Sequence, residues 1–135
     1  LMFKDIPFKK LQLGNLDAMR DWGYAKEYAS MVVDQVINTK YLKDFMLCTE
    51  EAHSVRDFVR EAFNLIGVKN WEDFVEIDES LKRPKEVPYL RGQCSLKEKP
   101  KVKFKELIRI MLEHEIQRLG LPSLPKLEKE SITTG

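Results

Sequence analysis

Apolar residues recur along residues 25–37 with the period of a helix. Ala25, Tyr28, Ala29, Val32, Val33, Val36 and Ile37 stand three and four apart, predicting an amphipathic helix that ends near Asn38. A second such face, Val55, Phe58, Val59, Ala62, Phe63 and Ile66, follows Ser54. Ser54 with Asp57 three residues on predicts a capping box, and Gly67 a helix stop. A third face, Phe104, Leu107, Ile108, Met111, Leu112 and Ile116, predicts a helix to about Leu119, ended by Gly120 and Pro122. Shorter patterns predict strands. "KLQLGN" alternates Leu11 and Leu13 and stops at the Gly14-Asn15 turn, "DFMLCT" (44–49) is an apolar run of strand length, and "DFVEID" (73–78) alternates Phe74, Val75 and Ile77. Residues 79–100 carry Pro84, Pro88 and Pro100 and read as irregular, with a short extended piece near "PYLRGQC".

The order strand, helix, strand, helix, strand, irregular segment, helix predicts a small α/β fold with helices packed on a short sheet. Residues 1–10 read as an N-terminal arm, 11–120 as one domain and 121–135 as a polar, flexible tail. No internal repeat or low-complexity tract interrupts this plan.

Composition narrows the classes. The 135 residues suffice for one core and are 43% hydrophobic, which favours a globular chain. Twenty-three Lys and Arg against 22 Asp and Glu leave a net charge of +1, with no basic stripe, so a nucleic-acid partner is not expected. Cys48 and Cys94 are isolated, as expected of a reduced, cytoplasmic chain. No apolar run approaches the roughly 20 residues that span a bilayer, and neither a membrane partner nor a signal peptide is expected. The start at Leu1 suggests a fragment or a processed chain.

A complete catalytic set is not found. The glycines at 14, 23, 67, 92, 120 and 135 have neither dinucleotide-loop nor P-loop spacing, no Tyr is followed four residues on by Lys, and GxSxG is missing. Glu50, Glu51 and His53 could ligate a metal, but a further ligand at suitable spacing is lacking, so no metal is expected. His114, between Glu113 and Glu115, reads as a helix-surface residue. Two polar groupings remain. One is Asn15, Asp17, Arg20, Asp21 and Trp22, ahead of the first helix. The other is "RPKEV", where Pro84 stiffens a loop bearing Arg83 and Glu86. An Arg on a stiff loop suits bidentate capture of phosphate or carboxylate, and a Glu can accept from sugar hydroxyls. The plain structural alternatives are an ion pair of Arg20 with a nearby Asp and a surface pair of Arg83 with Glu86.

These residues carry a resemblance. "LGNLDAMRDWGYAKEY" (13–28) resembles the stretch opening the late substrate-binding part of GDP-mannose 4,6-dehydratases, which are extended short-chain dehydrogenase/reductases. Leu13, Gly14, Asn15, Leu16, Asp17, Arg20, Asp21, Trp22, Gly23, Ala25, Glu27 and Tyr28 all fit that family's pattern. "SVRDFVREAF", "IDESLKRPKEVPYLRGQ" and "FKELIRIMLEHEI" resemble later segments, so the resemblance covers residues 11–118. Leu81-Lys82 replaces an aromatic pair, Gln93 replaces an Asp, and "SLKEKP" is a contracted segment.

The resemblance implies the fold of the C-terminal substrate-binding part of those enzymes, without a complete Rossmann domain. The family's N-terminal half, with its NADP site and its Thr/Glu/Tyr/Lys chemistry, is not in these residues. No catalytic residue and no cofactor are therefore expected for this chain alone. In the family, NADP takes a hydride from C4 of the mannose and returns it at C6 after water is eliminated across C5–C6, a lyase step on the way to GDP-fucose. Carried over, Arg20 and Arg83 would bind the diphosphate of GDP-mannose or a related GDP-sugar and Glu86 the ribose hydroxyls. Gly14 and Asn15 would lie near the guanine end, with Asp17 in the same rim. The implied partner is the missing Rossmann half or a second copy. The leading expectation is a fragment or truncated homologue supplying the nucleotide-sugar-binding half; the alternative is a non-catalytic docking module.

Overall fold

The computed structural model describes residues 8–125. Most of the arm and the end of the tail lie outside the described residues. Of the arm, Phe8 stacks on Phe74 with ring centroids 4.9 Å apart. In chain order the elements are β1 (Leu11–Leu13), β2 (Met19–Asp21), α1 (Ala25–Asn38), β3 (Ala52–Ser54), α2 (Val55–Leu65), β4 (Val75–Ile77) and α3 (Phe104–Arg118). Short 3₁₀ turns at Trp71–Phe74 and Glu79–Leu81 flank β4, so the strand expected over 73–78 contracts to its last apolar alternation.

The short sheet resolves into two two-stranded ladders. β1 runs parallel to β4, Leu11 opposite Val75 and Leu13 opposite Ile77. β2 runs antiparallel to β3, Met19 opposite Ser54 and Arg20 opposite His53. The other edge of β2 is covered at Met19, whose N–H donates to the Pro88 carbonyl at 2.8 Å and whose carbonyl accepts from Leu90 N–H at 3.0 Å. This bridge to Tyr89 is the extended piece expected near "PYLRGQC". β2 and β3 are three residues each, too short for an alternation to show in the sequence.

α2 is the packed helix. Ser54 and Asp57 close the expected capping box, and Gly67, at φ +80°, ends the helix in the left-handed region that glycine tolerates. Val59 joins Leu16, Trp71 and Val75 in the core, with Leu13, Val55 and Phe63 around them. α3 lies against α2 and buries Phe104, Leu107 and Ile108, the last fully. Met111, expected inward, is exposed, while Leu112 and Ile116 beyond it are half-buried.

α1 spans the expected residues but turns the expected core face outward. It buries no residue, and Val32, Val33, Val36 and Ile37 are all exposed. The side it lays on the body is Glu27, Tyr28, Met31 and Gln35, all half-buried. At 3.6 residues per turn that stripe is rotated roughly 130° from the apolar one. Two polar contacts fix it there: the Glu27 carboxylate accepts from the backbone N–H of Lys101 at 2.6 Å and of Val102 at 3.1 Å. Residues 44–49 are not a strand. Among the described residues their ladder-like contact is Met46 with Ser95, the Met46 carbonyl accepting from Ser95 N–H at 3.1 Å.

Candidate functional site

Gly14 ends β1 directly beneath the 79–81 turn. A Cβ built on it would stand 2.9 Å from the Leu81 carbonyl oxygen, so only glycine lets the two loops close. Asp78 N–H donates to the Leu13 carbonyl at 2.8 Å and holds the same approach. The consequence is functional: the loop from Lys82 to Pro88 returns over the turn that carries Asn15.

Three of the six expected residues meet there. Asn15 Nδ2 donates to Glu86 Oε2 at 3.3 Å, and Arg20 Nη2 donates to Glu86 Oε1 at 3.1 Å. Arg20 Nη1 donates to the carbonyls of Met19 at 2.7 Å and Val87 at 2.8 Å. Both charged partners are partly buried, at 29% and 21% side-chain exposure, so the pair is worth more than a fully solvated one. Neither plain alternative holds: Arg20 pairs with Glu86 rather than with an Asp, and Glu86 with Arg20 rather than with Arg83.

The other three stand apart. Gly14 shapes the turn. Asp17 accepts from Arg56 Nε at 3.1 Å and Nη2 at 2.9 Å, tying the turn to α2. Arg83 is exposed, and among the described residues its side chain has no hydrogen-bond or ion-pair partner. Only the short, proline-stiffened tether to Glu86 associates it with the cluster.

Sequence reasoning gave no separate role to Asp21 and Trp22, the residues that hold Arg20 in place. Asp21 points off β2 the other way and accepts from Thr49 N–H at 2.7 Å, Thr49 Oγ1–H at 2.6 Å, Glu50 N–H at 2.9 Å and Gly92 N–H at 3.3 Å. It clamps a turn in which Glu50 takes φ +64°, strained for a residue with a side chain. Burial, with Asp21 nearby, pushes the Tyr28 hydroxyl up to about 12. Trp22 donates Nε1–H to the His53 carbonyl at 2.9 Å and stacks on Phe58 at 4.7 Å. The adjacent Arg20-Asp21 pair on β2 was the available signal, since successive residues of a strand face opposite ways.

The metal candidates do not converge. Glu50 is engaged by Lys99 Nζ at 2.6 Å and Cys94 N–H at 2.9 Å, which hold its carboxyl below the usual range, the lysine contributing most. His53 stacks on Phe104 at 3.9 Å. Among the described residues no group of three or more His, Cys, Asp or Glu could hold a metal. An open cleft of about 590 Å³ is lined by Glu51, His53, Asp57, Arg60, Lys103 and Phe104 among others, and contains none of Asn15, Arg20, Arg83 or Glu86. Would-be side chains at Gly23 and Gly92 run into Tyr28 and Cys48, and Gly67 and Gly120 close the C-terminal ends of helices. Among the described residues no helix is long and apolar enough to cross a membrane.

Comparison with known proteins bears on this geometry. The family model "GDP-mannose 4,6 dehydratase" matches residues 4–111. The Arabidopsis thaliana protein "GDP-mannose 4,6 dehydratase 2" is 37% identical over 131 residues, 93% of this chain and 33% of that one. The Homo sapiens "GDP-mannose 4,6 dehydratase" is 37% identical over 126 residues, 78% of this chain and 34% of its own. Among solved structures, RMD from Pseudomonas aeruginosa complexed with NADPH superposes with a TM-score of 0.65 at 18% identity, over 81% of this chain and 36% of that one. That likeness shows a shared fold. The chain spans about a third of the length of the curated relatives it matches.

Proposed function

The chain belongs to the GDP-mannose 4,6-dehydratase family, and from that premise we propose that it supplies the part of such an enzyme that grips the nucleotide end of a GDP-sugar. The observation that carries this reading is the state of Arg20, Glu86 and Arg83. Arg20 commits three N–H groups to Met19, Val87 and Glu86, which leaves two of a guanidinium's five for an anion. Glu86 uses one lone pair on each oxygen for Asn15 and Arg20 and keeps acceptor capacity for vicinal hydroxyls. Arg83 projects from the same loop without a partner among the described residues.

In this reading Arg83 is the main diphosphate ligand. Arg20 orients Glu86 and adds a second, weaker anion contact. Asn15 and the Gly14 turn border the guanine, and Asp17 holds the rim through Arg56. NADP and the acid–base residues of the dehydration, a lyase reaction leading toward GDP-fucose, belong to a portion of the enzyme other than these residues. The setting in this reading is cytoplasmic, which the free Cys48 and Cys94 support.

The test is titration of GDP, GDP-mannose and UDP into the chain, followed by NMR shifts. Part of a pocket binds weakly, so wild-type affinity for the two guanine ligands is expected at about 0.1–1 mM. An Arg–phosphate contact is worth about 1.5–3 kcal/mol, so Arg83→Ala loses roughly tenfold to a hundredfold. A folded Arg83→Ala protein that binds GDP as well as wild type overturns the assignment of that loop. If wild type binds none of the three, the nucleotide reading fails and the docking-module alternative replaces it.

A further inference from the structure

The chain does not leave α3 at the helix end. Gly120, at φ +66°, turns it back, and Leu121 N–H donates to the Ile116 carbonyl at 3.0 Å. Leu121 to Pro125 then retrace the helix. Leu124 is half-buried and, with Ser123, lines a pocket of about 220 Å³ against Arg109, Glu113, Ile116 and Gln117. Arg109 Nη2 donates to the Pro125 carbonyl at 2.7 Å, while its Nε pairs with Glu113 at 3.0 Å. From Leu119 back to Arg109 is about 15 Å along the axis, which five residues cover only when extended.

The face they follow leads to the open cleft. Lys105 and Glu106 stand four and three residues before Arg109, on the same side of the helix. Both line the cleft of about 590 Å³, together with the stacked rings of His53 and Phe104. Pro125, held at Arg109, is therefore about 6 Å along the axis from the cleft residue Lys105. Ten residues follow it, Lys126 to Gly135, and at about 3.3 Å each they have several times the reach required. The charges match as well. In the cleft Glu51 is taken by His53 and Lys103, and Asp57 by Arg60. That leaves two acids and a base, Glu61, Glu106 and Lys105, without an ion pair among the described residues. Such a mixed set suits neither a polyanion nor a polycation. The tail brings Lys126, Glu128, Lys129 and Glu130 in alternating sign, with Leu127 and Ile132 for the aromatic lining.

We propose that the cleft between α2 and α3 is a docking groove for residues 126–135 of the same chain, which continue the path of 121–125 along the Lys105–Arg109–Glu113 face. The short tether favours this occupant over the tail of a second copy. A segment attached a few ångströms away acts at an effective concentration on the order of millimolar, which a free copy does not match. The cleft contains none of Asn15, Arg20, Arg83 or Glu86, so the groove is separate from the nucleotide site.

The chain's two histidines supply the test. The His53 side chain lies in the cleft and is 34% exposed, and His114, at 74%, is the internal reference. Diethyl pyrocarbonate acylates accessible imidazoles, and mass spectrometry reads the rate at each. Removing residues 126–135 should speed the reaction at His53 about tenfold, the factor for a cover held by about 1.4 kcal/mol, and leave His114 unchanged. The Leu127→Asp, Ile132→Asp double substitution in the full chain should act in the same direction, and it decides the matter if the shortened chain does not fold. Equal His53 rates in the full chain and in the folded variant overturn the proposal. So does protection of His53 that grows with protein concentration, which gives the groove to the tail of a second copy.

Discussion

α1 and α2 are amphipathic helices of 14 and 11 residues on the same small body, and they are held by opposite means. α2 is capped at its start by Ser54 and Asp57, stopped by Gly67, and seated by its apolar stripe on Leu16, Trp71 and Val75, with α3 alongside. α1 has no side-chain cap at Tyr24, buries no residue, and is pinned by Glu27 to the backbone of Lys101 and Val102. An apolar stripe thus says that a helix has something to cover, and the stripe of α1 covers nothing within the described residues. α2 belongs to the body's own core, and α1 is tied to that body by polar contacts.

The contrast breaks most readily at the packed end. Ile108 of α3 is fully buried. Ile108→Ala should cost about 2–5 kcal/mol, the lost transfer energy plus a cavity, read from the urea midpoint. If that cost falls below about 1 kcal/mol, the α2–α3 layer is not the core of this chain.

The polar anchor of α1 comes next. Glu27→Ala removes the acceptor of two backbone N–H groups and should cost about 1.5 kcal/mol, near the low end for hydrogen bonds to a charged group because the site is partly exposed. The loss should appear as faster exchange along α1 with α2 unchanged. Uniformly faster exchange would mean that the two helices unfold as one unit.

The cap of α2 is third. Ser54→Ala should cost about 1 kcal/mol. It also carries a pH signature. The Ser54 hydroxyl, foremost, and then its backbone N–H and Arg60 hold the Asp57 carboxyl below its ordinary 3.8. A carboxyl lowered in the folded state contributes stability above the unfolded value, and the contribution is lost as pH falls through the folded one. Wild type should therefore lose stability below about pH 4 more steeply than Ser54→Ala. Parallel acid limbs would detach Asp57 from the cap.

The same contrast marks how far the sequence could be read. Both helices, the Ser54–Asp57 box and the Gly67 stop follow from local spacing and lie where expected. The outward turn of α1 and the missing strand at 44–49 do not, because periodicity gives a face its direction and not its partner. In the site, the grouping of Asn15, Arg20 and Glu86 was legible only as residue types that suit an anion and a sugar. Their meeting depends on Gly14 passing under Leu81, a contact 67 residues apart in the chain. That Glu86 belongs to Arg20 rather than to the nearby Arg83 is a fact of tertiary closure, as is the split in which Arg20 reaches Glu86 and Val87 while Asp21 and Trp22 tie the strand to the body.

The smallest effect is the sharpest test. Val33→Asp and Val36→Asp each place a charge where the isolated chain exposes its side chain, at 52% and 54%. Neither removes a buried contact, so each should change stability by no more than about 0.5 kcal/mol, the usual range for surface substitutions. The same change at Val59, which is 6% exposed among apolar neighbours, should prevent folding, because an unpaired carboxylate would be forced into the core. Three valines, one substitution and one denaturation assay separate a face that holds the body together from a face that covers nothing within the described residues. A loss above about 1.5 kcal/mol at Val33 or Val36, beyond the usual surface range, would show that α1 already packs within the isolated chain. The two helices would then differ in degree rather than in kind.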